Sequence, residues 1–362
     1  MKNKYFFERI SNHFILLAIA SLIFFKSIFY ILVKSDLILS GFGMGSDAIY
    51  YHGYATGLYN LAVNIWPVIL RYLYNIGFYS RTLIAYILFF LSLFAIPFIA
   101  AKLAGLTFRE TQKYYLYIIL IGVAYPTMYF FAFDIYRDVF MVFIFLIGCL
   151  IVKSCLKSRS YIVFLVLFAV AVVTGFFLLA LRPYLGYAFL ISLFLWKIKF
   201  NKNRIIFLGF LYFLVLFIAN YVGYLDILTE YRSGFEAGNN GSTLGLDFSN
   251  PLLFVPNFIL SFLGQMLGLY VTNPFAVILL IIETMPFFFM FIYVLKNIKL
   301  ADNFVRFLII FFVLYASVWL IGNDNLGTAV RLRMYNYLAI YISFFYILRL
   351  KSNNLENLKA VK

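Results

Sequence analysis

One short polar stretch, GSDAIYYHGYATGLYN at residues 45–60, combines an aspartate, four tyrosines and one of the two histidines of the chain. A helix through this stretch would place four side chains about one turn apart: Asp47, Tyr50, Tyr51 and Tyr54. Aromatic rings with hydroxyls beside a carboxylate suit a sugar, which offers an apolar face and a rim of hydroxyls. Asp47 and His52 are therefore candidate bases and Tyr51 a candidate binding residue. Ser46 or Asp47 can instead cap the helix, and tyrosine is common at membrane interfaces.

A second group consists of seven arginines near the ends of apolar runs: Arg71, Arg81, Arg137, Arg182, Arg232, Arg331 and Arg333. Guanidinium groups bind phosphate or carboxylate through paired hydrogen bonds, so these residues indicate an anionic ligand. Arginines at helix ends can equally reach lipid phosphates. Arg331 and Arg333 are two residues apart and must face different ways on a helix, so we expect at most one in the site. The turn before them, with Thr328 as a possible cap, would also present backbone N–H groups to phosphate.

The segment FDIYRD, residues 133–138, contributes two more carboxylates, Asp134 and Asp138, with Arg137 beside the second. Two carboxylates four residues apart could bind a divalent ion or orient an arginine. A tight turn at a membrane surface needs polar residues in any case. We treat Asp138 as the third candidate catalytic residue.

The signatures of common metal, nucleotide and serine-hydrolase sites are missing, since the chain has no CxxC, HExxH, Walker loop or GxSxG. Cys149 and Cys155 would stand roughly 9 Å apart along one helix, too far for a disulfide. We therefore predict no metal and no cofactor.

The composition is that of a helical membrane protein: 65% of the 362 residues are hydrophobic, 22% are aromatic and only 12% are charged. Runs long enough to cross a bilayer predict about ten spans in an all-α fold that forms a single transmembrane domain. The predicted spans are 14–33, 82–101, 114–133, 139–156, 161–181, 184–198, 205–222, 274–295, 305–321 and 335–349. The run 184–198 is short and follows Arg182-Pro183, so it can also be a half-helix or the continuation of a kinked span.

Lysine and arginine predict the orientation, because cytoplasmic loops accumulate them. Alternating sides through ten spans puts both termini in the cytoplasm, with most basic residues on that side. The net charge of +15 is therefore explained by topology, and we expect no nucleic-acid partner.

Two long outer loops are predicted, at 34–81 and 223–273. The first should carry two interfacial helices, the second of them in a segment interrupted by Pro67. The second loop should be mobile at its polar, glycine-rich start and then form an amphipathic helix, with Ser249 or Asn250 as its cap and Pro251 at its first position.

Two charged residues lie deep in predicted spans at matching depths, Lys26 and Glu283. Such residues are usually paired or functional. We predict that they form a structural ion pair with each other.

The order of these motifs resembles that of bacterial polytopic GT-C-type glycosyltransferases and of Wzy-type O-antigen polymerases. The similar segments are SDAIYYHGYA, YRDVFMVFIFLIG, LRPYLGYAFL and NLGTAVRLR. The resemblance implies a multi-pass protein of the bacterial inner membrane that handles undecaprenyl-diphosphate-linked oligosaccharides at the periplasmic face. It also implies Arg137, Arg182 and Arg331 as diphosphate ligands, Asp47 or His52 as the base, and possible control by a chain-length regulator protein.

Other functions fit parts of the same pattern. A GT-C enzyme could move a single sugar from a polyprenyl monophosphate, and a ligase could pass finished O-antigen to a lipid acceptor. A flippase for lipid-linked oligosaccharides is the alternative from another class. A transporter would often show internal repeats and polar sites at mid-membrane, whereas the polar residues here cluster at the ends of spans.

Overall fold

The computed structural model describes residues 2–38, 41–237 and 242–360. The regular structure over these residues is helical, and one isolated bridge pairs Thr243 with Asn325. Residues 39–40 and 238–241, in the two predicted long loops, lie outside the described residues.

Fifteen helices are labelled here in chain order. They are α1 (Lys2–Lys34), α2 (Ser46–Ala55), α3 (Ile65–Asn75), α4 (Arg81–Leu103), α5 (Gln112–Ala124), α6 (Pro126–Phe130), α7 (Arg137–Lys157), α8 (Tyr161–Leu181), α9 (Pro183–Leu195), α10 (Lys202–Tyr221), α11 (Asp226–Ala237), α12 (Pro251–Met266), α13 (Pro274–Lys296), α14 (Asn303–Gly322) and α15 (Leu326–Ala360). A short 3-10 turn at Ile298–Leu300 lies between α13 and α14.

Seven of these helices are long and apolar enough to cross a membrane, which is consistent with a helical membrane protein. Their spanning parts are Ile10–Lys34, Arg81–Leu103, Arg137–Lys157, Tyr161–Leu181, Asn203–Tyr221, Pro274–Lys296 and Asn303–Gly322. Each matches one of the ten predicted runs, because an uninterrupted apolar run of this length has few alternatives to a helix in lipid.

The other three predicted runs take different forms. The run 114–133 is divided between α5 and α6, since Pro126 follows Tyr125 and disfavours helical backbone there. The run 184–198 becomes the shorter helix α9, and 335–349 forms part of the long helix α15.

Several helices begin at a side-chain cap, as local sequence predicts. Asn64 accepts a hydrogen bond from the backbone N–H of Trp66 at the start of α3. Asn250 does the same for Leu252, with Pro251 at the first position of α12. The cap predicted for α2 is wrong: its N-cap residue is Gly45, which has no capping side chain, and both Ser46 and Asp47 lie inside the helix.

The first long loop contains the two predicted helices, α2 and α3. Pro67 does not break α3, because it falls in the first turn, where backbone N–H groups have no partner within the helix.

The second long loop differs from the prediction at its start. Residues 226–237, expected to be mobile, form α11, which packs against α14.

The helices divide into two compact units, residues 1–186 with 348–362, and residues 187–347. In the first unit α7 packs against α8 and α4, and α1 packs against α5. Tyr30, Val33 and Phe133 form a buried cluster near the end of α1. The helices α2 and α3 pack on each other, and the indole N–H of Trp66 in α3 donates to the carbonyl of Ile135, in the turn before α7, at 2.8 Å.

In the second unit α12 packs against α10 and α14. Two helices of this unit contain π-helical turns, at Phe262–Met266 in α12 and Leu280–Thr284 in α13, and a third such turn occurs in α4 at Leu91–Ala95. A π-turn accommodates one extra residue and often marks a polar or functional position.

Candidate functional site

The first unit brings together five of the candidate residues in what we term the Tyr51 cluster: Asp47, Tyr51, Arg137, Asp138 and Arg182. The charges of Asp47, Arg137 and Asp138 act on the hydroxyl of Tyr51, and Arg182 joins the group through Asp138. Tyr51 is only 3% exposed. Burial raises the pKa of its hydroxyl, the positive charge of Arg137 opposes that shift, and the carboxylates of Asp138 and Asp47 add to it. Asp47 is half-buried and precedes Tyr51 by one turn on the same face of α2.

The first turn of α7 supplies two members of the cluster and connects them to the end of α8. Arg137 is half-buried and donates from Nη1 to the carbonyl of Leu181 at 3.0 Å. Asp138 is 1% exposed, and its Oδ1 lies 3.5 Å from Nη2 of Arg182.

Arg182 takes its position from the local sequence. Pro183 disfavours helical backbone at the preceding residue, so α8 ends at Leu181 and Arg182 is extended, with φ −155° and ψ 110°. The guanidinium of Arg182 is buried against Asp138 and lies 5.6 Å from the ring of Tyr184. Pro183 therefore interrupts the helix at Arg182, and the guanidinium of Arg182 is buried at this interruption.

A second polar group lies beside the same helices, centred on Asp134. Arg81 donates to this carboxylate through Nε at 2.8 Å and Nη2 at 2.5 Å, and the backbone N–H groups of Met44 and Ile135 donate at 2.9 and 2.8 Å. Burial by itself would raise the pKa of Asp134, but these four hydrogen bonds hold it below its usual value.

His52 belongs to this second group and not to the Tyr51 cluster. Its Nδ1 lies 2.8 Å from the hydroxyl of Tyr79. Burial and the nearby Arg81 lower the pKa of His52, with Asp134 opposing, and burial raises the pKa of Tyr79 to about 12. His52 is one residue beyond Tyr51, so it points to a different side of α2.

The two carboxylates of FDIYRD are not at helical spacing as predicted. Asp134 lies in the turn before α7, whereas Asp138 is inside the helix, and each is paired with a different arginine. Two roles were considered for these carboxylates, binding a divalent ion and orienting an arginine, and the geometry supports the second. Among the residues that the structure describes, no three His, Cys, Asp or Glu side chains are grouped as metal ligands would be.

Arg71 has a structural position. It donates from Nε to the carbonyl of Tyr54 at 2.9 Å and from Nη2 to the carbonyl of Tyr59 at 2.7 Å, and it lies over the ring of Tyr54 at 4.1 Å. These contacts join α3 to the end of α2 through Nε and Nη2 of the guanidinium.

Arg232, in the second unit, is likewise used to hold the fold. It is 2% exposed and forms an ion pair with Asp324. It also donates to four backbone carbonyl oxygens, those of Leu246, Leu320, Ile321 and Asn323. Because every direction of its guanidinium is filled by the protein, the geometry favours a structural role for Arg232 over the predicted contact with substrate.

Glu283 forms an ion pair within the second unit, and its predicted pairing with Lys26 of the first unit stays a prediction. Its Oε2 accepts from Nη2 of Arg333 at 3.1 Å, and both side chains are buried. The tyrosines of α15 surround this pair, with Tyr341 donating to the carbonyl of Glu283 at 2.9 Å. Lys26, in the first unit, donates to the carbonyl of Val123 at 2.6 Å and lies over the ring of Tyr129.

The two arginines at the start of α15 differ as their spacing predicts. Arg333 is 2% exposed, whereas Arg331 is half-buried. Arg333 faces Glu283, so Arg331 is the better candidate of the two for a ligand. Its participation beside Arg137 and Arg182 stays a prediction.

Several residues of these networks were not singled out from the sequence. Tyr79, Asp324 and Gln265 have partners that lie far along the chain, and Gln265 donates to the carbonyl of Asn323 at 2.7 Å. The signal that could have found Gln265 is its isolation as an amide within an apolar helix.

No protein-family model, no curated protein and no solved structure matches this chain. Its function therefore has to be inferred from the side chains themselves.

Proposed function

We propose that this protein is an O-antigen polymerase, which joins undecaprenyl-diphosphate-linked oligosaccharide repeat units at the periplasmic face of a bacterial inner membrane. The observation that supports this proposal is the Tyr51 cluster. It places two arginines, two carboxylates and a tyrosine at one end of two helices that are long enough to span a membrane. A lipid-linked sugar diphosphate would enter such a site from the bilayer with its headgroup at this level.

The two arginines suit the leaving group. In the proposed reaction the bond between the anomeric carbon of the growing glycan and its diphosphate breaks, and a hydroxyl of the acceptor sugar bonds to that carbon. The departing diphosphate takes the bonding electrons, so negative charge develops on its oxygen. Cations that the fold already holds at that position stabilise this charge. Arg137 and Arg182 would serve this role, with Asp138 positioning Arg182 through their ion pair.

Asp47 is the residue that suits the base. The acceptor hydroxyl must lose a proton as it attacks, and a partly exposed carboxylate can accept it. Asp138 is buried and bound to Arg182, whereas Asp47 is half-buried on the same face of α2 as Tyr51. His52 faces Tyr79 and Arg81, so the geometry favours Asp47 over His52.

The test is the lipopolysaccharide ladder of a strain that lacks the gene, complemented with wild type, Asp47→Asn or Arg182→Lys. Arg182→Lys keeps the charge but loses the paired geometry of guanidinium. We expect both variants to give core plus a single repeat unit, with no longer chains. Arg109→Lys, at an exposed position on the predicted cytoplasmic side, is the matched control and should restore the ladder.

Other outcomes would overturn the polymerase proposal. If deletion leaves the ladder length unchanged but shifts the mass of each band, the protein transfers a single sugar. If deletion removes all surface O-antigen while lipid-linked repeat units accumulate, it is a flippase or a ligase. Membrane levels of each variant must equal wild type for the comparison to hold.

A further inference from the structure

We propose that the exposed ring of Tyr59 is a carbohydrate-binding subsite, which holds a pyranose ring adjacent to the reacting sugar in the Tyr51 cluster. The inference rests on the proposed function for the identity of the reacting sugar. It assigns a contact with a pyranose ring to Tyr59, which is not one of the reacting groups.

Tyr59 combines exposure with a fixed position. Its side chain is 46% exposed. Its backbone N–H donates to the carbonyl of Gly53 at 3.3 Å, and its carbonyl accepts from Nη2 of Arg71 at 2.7 Å. An exposed aromatic residue in a loop normally has several rotamers and backbone states to lose on binding. Here that loss has already occurred in folding, which favours affinity for a ligand.

The ring itself is held by two contacts with α2. It stacks on Tyr50, with ring centroids 5.7 Å apart and an angle of 18° between the planes. Its edge lies against Gly53 so closely that a Cβ at residue 53 would be 2.5 Å from Cε2 of the ring. The hydroxyl of Tyr50 donates to the carbonyl of Leu61 and accepts from the N–H of Val63 at 3.3 Å, which fixes the loop after Tyr59 as well.

The position of this ring relative to Asp47 indicates the ligand. The ring of Tyr59 lies against Tyr50 and Gly53, which follow Asp47 by three and six residues, or roughly 5 and 9 Å along α2. That distance is of the order of one to two sugar rings. A pyranose presents C–H groups on one face and hydroxyls at its edge, so it can stack on a tyrosine while its hydroxyls remain hydrated.

A lipid headgroup is the competing occupant, because Leu58 and Leu61 beside the ring are 76% and 80% exposed. Those two side chains are sufficient to hold the loop at an apolar surface. Membrane anchoring gains nothing from a fixed orientation of the tyrosine ring, whereas stacking on one face of a sugar requires it.

The test measures sugar binding directly, without turnover. The probe is the repeat-unit oligosaccharide released by mild acid from the surface polysaccharide of the source cells, titrated against the purified full chain in lipid nanodiscs. We expect Tyr59→Ala to weaken binding by about two- to tenfold, from the typical worth of one aromatic contact. Tyr59→Phe keeps the ring and should bind as wild type does.

Gly53→Ala provides an independent variant, because the added methyl must displace the ring while the tyrosine remains. It should weaken binding as Tyr59→Ala does, and the double variant should be no weaker than Tyr59→Ala alone. Tyr72→Ala is the matched control, since Tyr72 is 64% exposed on α3, and it should leave binding unchanged.

The subsite inference is overturned if wild type fails to bind the oligosaccharide at millimolar concentration, if Tyr59→Ala binds normally, or if Tyr72→Ala weakens binding equally. Its failure is distinguishable from that of the proposed function. Binding that depends on Tyr59 in a protein without transferase activity would support the subsite and refute the polymerase. Transfer activity with binding and KM unaffected by Tyr59→Ala would refute only the subsite.

Discussion

Replacing Arg81 by alanine should destabilise the protein by an amount that depends on pH. The substitution removes two of the four hydrogen bonds to Asp134, whose carboxylate is then buried without its cation. Breaking a buried pair in this way costs about 3–5 kcal/mol. Because the side chain of Arg81 is 29% exposed, water replaces part of its effect, and we expect about 2–3 kcal/mol. For a unit of this size that corresponds to a fall in Tm of roughly 4–12 °C.

The pH dependence follows from the lowered pKa of Asp134 in the folded protein. A carboxyl whose pKa is depressed by folding contributes stability that is fully present above its unfolded value, near 3.8. That contribution is lost as the pH falls through the lower value of the folded state. The difference between wild type and Arg81→Ala should therefore be largest at neutral pH and shrink below about pH 4.

The measurement is thermal unfolding of the purified protein in detergent at several pH values, with the exposed Arg109→Ala as a control. Adding Asp134→Asn to Arg81→Ala should recover part of the lost stability, since the double variant no longer buries an unpaired charge. A stability loss that equals the control, or that is unchanged down to pH 3, would refute this account of the pair.

Two further predictions concern packing. Gly45→Ala should destabilise the first unit, because a methyl group at this position would overlap the hydroxyl of Tyr136, which accepts from the Gly45 N–H at 3.0 Å. Adding Tyr136→Phe should partly restore the melting temperature, and a double variant that melts no higher than Gly45→Ala would contradict the clash. Arg232→Met should lower stability by about 3–5 kcal/mol, because it leaves the carboxylate of Asp324 buried without its cation. Adding Asp324→Asn should recover part of that loss. An unchanged Tm in the single variant would show that the pair contributes nothing.

The long membrane helices could be predicted from the sequence because the signal is local and strong. A run of apolar residues specifies a helix in lipid whatever its neighbours are. The sequence signal for the start of α12 was equally local, since Asn250 caps the helix and Pro251 occupies its first position. The failure at α11 has the opposite cause. A polar segment with glycine resembles a loop, and what orders it is packing on α14 and the carbonyls that Arg232 reaches about 90 residues away.

The candidate site was predictable in part for the same reason. Helical spacing placed Asp47 and Tyr51 on one face of α2. Their meeting with Asp138 and Arg182 depends on tertiary packing between helices far apart in the chain, which no spacing rule encodes. The ion pair of Glu283 with Arg333 could not be predicted from depth in the membrane, because matching depth does not determine which side chains are in contact.

The π-turn at Leu280–Thr284 has a consequence for experiments that map the faces of α13 by labelling. One extra residue within the turn rotates every later side chain by about 100° from its expected direction. Cysteines substituted one at a time along Pro274–Lys296 would report which side chains are accessible. If the result is interpreted with a constant period of about 3.6 residues, the assigned faces would agree with the structure up to Leu279 and would be out of phase from Met285 onward. The labelling pattern should show this phase jump at Glu283, the residue that the turn directs toward Arg333.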